Sequence, residues 1–249
     1  MVLNDVAFIG GIFSVLYVAI NSYVGLRIAK KYFEVKQRVF LFVGITWVGL
    51  CSPWWPSSVS FIIALFDGVG LENNPEIYFI IGNLMIPLFL ILWMIAITDL
   101  LYKEKQKIII GIMVIFSATF EIILWTLLLT GAPTNYESIG ILNGPVNVDY
   151  QEIIMVLLLI IIVIIMVTGI QFGRESLKSD NPEIKLKGKL IIVAIILFTV
   201  GALVDSAAPL HLAMIILPVT RIILILSGIF FLGGFILPDF MKKIFMRNR

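Results

Sequence analysis

Residues 153–173 carry no charged side chain, and six further stretches of the chain are nearly as bare. An uncharged apolar run of about 18 residues or more can cross a hydrocarbon core of about 30 Å as a helix. Inside lipid, every backbone N–H and C=O must be satisfied within the segment, which leaves helices as the solution for runs of this kind. The runs fall at about 6–29, 38–65, 76–102, 107–130, 151–173, 187–207 and 214–237. The expected fold is therefore all-α: a polytopic membrane protein whose residues 1–249 form a single seven-transmembrane-helix bundle. The second run is overlong, which tilt or a kink absorbs.

The basic residues sort the connections into two kinds. Arg27, Lys30, Lys31, Lys36 and Arg38 flank the first connection, Lys103, Lys105 and Lys107 the third, and Arg174, Lys178, Lys185, Lys187 and Lys189 the fifth. Lys242, Lys243, Arg247 and Arg249 follow the last run, so only Arg221 of the 18 basic residues lies elsewhere. The second, fourth and sixth connections have none and carry acids instead, among them Asp67, Glu72, Glu76, Glu137 and Asp149. By the positive-inside rule the N-terminus is expected outside and the C-terminus in the cytoplasm of a multi-pass protein of the cell membrane. The start, MVLNDVAF, has no basic region before its apolar run, so that run is expected to be retained as a span. The longest connection covers about 131–151, and no soluble domain is expected.

Within the second run, residues 51–61 read CSPWWPSSVSF. Pro53 and Pro56 lack the N–H that an unbroken helix needs, so a bend is expected there. The hydroxyls of Ser52, Ser57 and Ser58 need partners that lipid does not offer, and a hydrated cavity would supply them. Trp54 and Trp55 either stack on a ligand in that cavity or anchor the helix at headgroup level. Pro87 in the third run and Pro209 after the sixth are further expected hinges.

The two ends of the chain echo each other. VGLRIAKK closes the first run and TGIQFGRE the fifth; VGLCSPWWPSS lies in the second and VGALVDSAAPLH in the sixth. A parallel duplication of three spans, with one span between the copies, is expected, relating about 1–106 to 150–249 and Pro56 to Pro209. In layout this resembles the microbial rhodopsins and the SWEET sugar transporters. Rhodopsins hold retinal on a lysine in the middle of the last helix, whereas no lysine lies in the interior of any run here and Arg221 cannot form that Schiff base. The proline–glutamine motif of the SWEET-like proteins is missing as well. No cofactor is expected, and layout by itself assigns no activity.

Three charged residues fall inside runs: Glu121, Asp205 and Arg221. Charges within spans are costly and are usually paired or functional. Counting residues from the basic ends puts all three in the outer half, together with Asn83, Trp125 and the serines of the bend. Arg221 either snorkels outward or pairs with Asp205 on the neighbouring helix. Glu121, with Ser117 and Trp125 one turn away on either side, is expected to be neutral or partnered. The inner half is nearly uniform in Ile, Leu, Val and Phe, relieved mainly by Asn21, Ser22 and Tyr23. The fifth run is apolar all round and is expected to face lipid or a second copy of the chain. His211 falls in the short sixth connection.

No HExxH pair, GxSxG elbow or phosphate-cradling glycine loop occurs, so no enzyme is expected. One cysteine, Cys51, and one histidine, His211, supply neither a disulfide framework nor a histidine metal site. The basic patches lie beside lipid headgroups and give no case for nucleic acid. The expectation is a receptor-like sensor with a small ligand in an outward-facing pocket and a separate signalling partner in the cytoplasm or membrane. The alternative is a proton- or cation-coupled small-solute transporter or channel that uses Glu121.

Overall fold

The computed structural model describes residues 3–207 and 212–246, and seven helices in it are long and apolar enough to cross a membrane. Each coincides with one of the uncharged runs. Several continue past the run at its basic end, because Lys, Glu and Arg are good helix formers once outside the apolar layer. Thus α1 (Asp5–Val35) overshoots to Val35, and α7 (Glu152–Leu177) and α8 (Pro182–Ser206) extend toward each other across the fifth connection. Side-chain caps begin two of these helices. Asn4 accepts from the Ala7 N–H at 2.7 Å and Asn181 from the Glu183 N–H at 2.8 Å, with Pro182 in the first turn of α8.

The second span is broken as the prolines require. Helix α2 (Arg38–Gly49) stops before Leu50, a 3₁₀ turn covers Ser52–Trp54, and α3 (Trp55–Asp67) restarts with Pro56 in its first turn. The third span is interrupted at Leu84–Met85, between α4 (Pro75–Asn83) and α5 (Ile86–Leu101), with Pro87 opening α5. Prolines thus stand where a helix begins and no amide partner is lost. Pro209, the fourth expected hinge, lies outside the described residues, as does His211. Pro218 sits inside α9 (Ala213–Phe235), which runs on through it.

Consecutive spans run antiparallel and several cross closely. A methyl group on Gly25 would lie 2.6 Å from the Gly44 carbonyl oxygen, and one on Gly188 would lie 2.6 Å from that of Gly173. Small residues let backbones approach in this way where lipid offers no hydrophobic drive for association. Spans one and seven lie side by side in parallel: Ser14 meets Arg221 at 3.3 Å, and Asn21 donates to the Leu224 carbonyl at 3.4 Å. Spans three and five are also parallel, joined by Trp93 Nε1–Thr168 Oγ1 at 2.8 Å and Tyr102–Gln171 at 3.2 Å. The fourth span, α6 (Gln106–Thr130), packs on α5 through Ser117, which donates to the Pro87 carbonyl at 3.2 Å. Only 17% of its apolar stretch is covered, the least of the seven.

The middle of the bundle is aromatic. Trp47 stacks on Phe231 with ring centroids 3.6 Å apart and donates from Nε1 to Asn21 Oδ1 at 2.9 Å. Phe198 and the buried Trp93 adjoin this stack. At one end of the bundle, the connection between α6 and α7 folds into a hairpin, β1 (Gly140–Leu142) paired antiparallel with β2 (Val148–Tyr150). Val146, between the strands, is buried against Ala7 and Phe61. The described basic residues other than Arg221 gather at the opposite end, where α10 (Asp239–Met246) seats Met241 against Leu190 and pairs Lys242 with Glu183.

Candidate functional site

Two charges from neighbouring helices meet inside the hairpin end. Asp205 belongs to the last turn of α8, and Arg221 lies two turns into α9, roughly 12 Å along it. Arg221 Nη1 forms an ion pair with Asp205 Oδ1, which also accepts from Thr220 Oγ1 at 2.8 Å. Asp205 Oδ2 accepts from Trp54 Nε1 at 2.8 Å. Arg221 Nε donates to Ser14 Oγ, and the guanidinium carbon stands 5.6 Å from the Trp54 ring centroid, in cation–π range. With side-chain exposures of 3% and 12%, Arg221 and Asp205 are enclosed, and Arg221 does not snorkel to the surface. A buried pair is costly unless further hydrogen bonds support it; here Trp54 and Thr220 support the carboxylate and Ser14 supports the guanidinium, from spans two, seven and one.

The pair forms one wall of a cavity of about 190 Å³. The bend in span two contributes Pro53, Trp54 and Ser57; α8 contributes Phe198 and Ala202 beside Asp205. Helix α7 lines it from Met155 to Ile165, and residues Val146 to Tyr150 of the hairpin border it. Phe198, which lines it, also adjoins the stack of Trp47 on Phe231. No known protein family, curated protein or solved structure matches this chain.

The structure brings together Trp54, Ser57, Pro53, Asp205 and Arg221 but not the whole expected set. Trp55 points the other way, edge-on to Phe89 at 6.2 Å. Asn83 is buried beside the cavity; its Nδ2 donates to the Phe79 carbonyl at 3.0 Å and to Tyr150 Oη at 3.2 Å. Pro56 is buried against Gly82, and Pro87 serves as the carbonyl partner of Ser117. Glu121 and Trp125 do not join the crevice. They lie on α6, which among the described helices packs chiefly on α5, with Glu121 half-buried and Trp125 43% exposed. Helix α6 turns Ser117, Phe120, Leu124 and Leu128 inward, and that stripe carries Trp125 round to the outside. The polar residues of the inner half do not share one face with the cavity: Asn21 is locked to Trp47, whereas Tyr23 is 59% exposed.

Residues not anticipated for the site are Ser14, Tyr17, Thr220 and the hairpin residues Asn147, Asp149 and Tyr150. Tyr17 packs edge-on to Trp54 at 5.1 Å, and its buried hydroxyl has no hydrogen-bond partner. Ser14, Tyr17 and Asn21 are spaced three and four apart, a polar stripe on one face of an otherwise apolar helix. That spacing was the available signal. The hairpin had none, since its strands are three residues long. Among the described residues, no cluster of His, Cys, Asp and Glu could hold a metal ion.

Burial pushes the Tyr150 hydroxyl up from its ordinary value of 10.0 to about 12, against a smaller lowering from the Asn83 amide. An acid held neutral in the fold loses its stabilising contribution as pH climbs past the unfolded value of about 10 toward the folded one. Unfolding followed from pH 9 to 12 is therefore expected to show stability falling across that window. Tyr150→Phe should make the fall shallower while leaving stability at neutral pH within about 1.5 kcal/mol of the parent.

Proposed function

We propose that this chain is a receptor-like sensor of the cell membrane. Its N-terminus and hairpin face outward, its C-terminus faces the cytoplasm, and the cavity beside Asp205 and Arg221 takes a small ligand. Output passes to a separate cytoplasmic or membrane partner, because the connections at the basic end are too short to act alone. The observation that carries the reading is the cavity: bordered by the hairpin, walled by a buried ion pair, and reaching Phe198 of the layer of stacked aromatic rings. A conducting route would need polar groups through that layer, and the half-buried Glu121 stands away from it. The binding reading is therefore favoured over transport.

This orientation is supported by the basic residues: among the described ones, all but Arg221 lie at the end away from the hairpin. It is tested with a membrane-impermeant maleimide, for which the buried Cys51 is silent background. Asn73→Cys is expected to react in intact cells, and Glu104→Cys only after permeabilisation. The reverse pattern inverts the topology.

The arrangement also favours a threefold-span duplication. A two-fold axis relating spans one, two and three to five, six and seven would exchange the one–seven contact with the three–five contact, and both are parallel pairs. Gly49 against Phe89 and Gly201 against Leu224 likewise occupy matching places. The bend of span two has no counterpart in α8, which stays helical to Ser206.

The functional test is a thermal-shift screen of small molecules on the protein in nanodiscs, paired with flux measurements in proteoliposomes. Saturable stabilisation that disappears in Ala202→Phe, without proton or solute flux, is the expected result. Flux that Glu121→Gln abolishes would sink the sensor in favour of a transporter.

A further inference from the structure

We infer that the cavity is built for an apolar molecule with a hydrogen-bond-donating head, an alcohol or an amine, and against an anion. This rests on reading the cavity as the binding site. The long wall is wholly apolar: Met155, Leu158, Ile162 and Ile165 face Phe198 and Ala202 over about 15 Å of α7. At about 190 Å³ the space exceeds the roughly 150 Å³ of a dry cavity that holds benzene, so an eight-carbon chain or a substituted ring fills it.

The polar groups sit at the hairpin end. Asp205 and Arg221 cancel each other there, and Arg221 is further held by Ser14 and the Trp54 face. Asp149, on the rim, has one carboxylate oxygen tied to the Asn143 amide at 2.7 Å and forms no ion pair among the described residues. The lining therefore carries one uncompensated negative charge. Asp149 would repel an anion at the rim, and an anion that drew Arg221 off Asp205 would leave that carboxylate buried and unpaired. A donor head finds an acceptor in Asp149 without breaking any existing contact, and its tail lies along α7.

The test uses three probes with the same diazirine-bearing eight-carbon chain: an alcohol, a primary ammonium and a carboxylate. Each is photolysed with the protein in zwitterionic nanodiscs, and labelled residues are mapped by mass spectrometry. Ile160 and Val163, on the exposed outer stripe of α7, report lipid-borne labelling in every sample. The alcohol or the ammonium is expected to label Leu158 and Ile162, with excess 1-octanol suppressing it at least tenfold, and the carboxylate to label them at a tenth of that level or less. Ala202→Phe should remove the cavity labelling and spare the outer stripe; Leu158→Trp serves the same purpose, read at Ile162, should Ala202→Phe fail to fold. Equal or stronger suppressible labelling by the carboxylate overturns the ligand class while leaving the cavity a binding site. Labelling by none of the three that 1-octanol suppresses, or cavity labelling that survives both filled variants, overturns the ligand class and the binding site together.

Discussion

Replacing Arg221 with methionine is expected to destabilise the folded protein by about 3–5 kcal/mol, the usual penalty for leaving one partner of a buried ion pair uncompensated. The carboxylate of Asp205 would keep only Thr220 and the Trp54 N–H as donors, in a site that is 12% exposed. Most of the loss is the cost of the stranded charge rather than the worth of the pair. Adding Asp205→Asn should therefore recover more than half of it, since the neutral amide still offers an acceptor to Trp54 or Thr220. Thermal and denaturant unfolding of the three variants in one lipid composition checks this. An Arg221→Met protein within about 1 kcal/mol of the parent would mean that the guanidinium is dispensable and the pair is not what holds spans six and seven.

Trp47→Ala is the second large effect. In soluble cores such a truncation costs about 3–5 kcal/mol, part of it transfer from water and part the void left behind. Here the alternative surroundings are lipid rather than water, which shrinks the transfer part, so a loss near the lower end, about 3 kcal/mol, is expected. The void opens against Phe231, and Asn21 Oδ1 loses the indole N–H that it accepts. Trp47→Phe separates the two contributions. It keeps a ring on Phe231 but gives up the indole N–H and part of the ring volume, for an expected loss of about 1–2 kcal/mol. Equal losses for the two variants would mean that stacking contributes nothing.

The spans were legible because hydropathy acts through length alone: a run such as 153–173 has one structural solution in lipid. The bend at Pro53 and Pro56 was legible for a similar reason, since a missing N–H cannot be hidden inside a helix. Which side of a helix faces inward was not. Helix α6 is apolar nearly all round, so nothing in its periodicity says that Ser117 and Leu124 point toward α5 while Trp125 turns outward. The expected gathering of Glu121 with Asp205 rested on depth, which counting residues supplies, and failed on azimuth, which it does not. The hairpin was missed because its fold depends on what lies beneath it: Val146 finds Ala7 and Phe61, and Tyr150 finds Asn83, only once the bundle has formed.

The neighbouring placement of the two opposite charges bears on how the chain is made. Asp205 leaves the ribosome before Arg221, and the helices that carry them are consecutive and antiparallel. They can zip into a hairpin as soon as the second has emerged, with the arginine neutralised before either helix partitions into hydrocarbon. Moving the acid to another helix would force a lone guanidinium through the insertion step, a penalty of about 2.5–3.5 kcal/mol at mid-membrane. Biogenesis as well as the finished bundle thus constrains which helix carries the carboxylate.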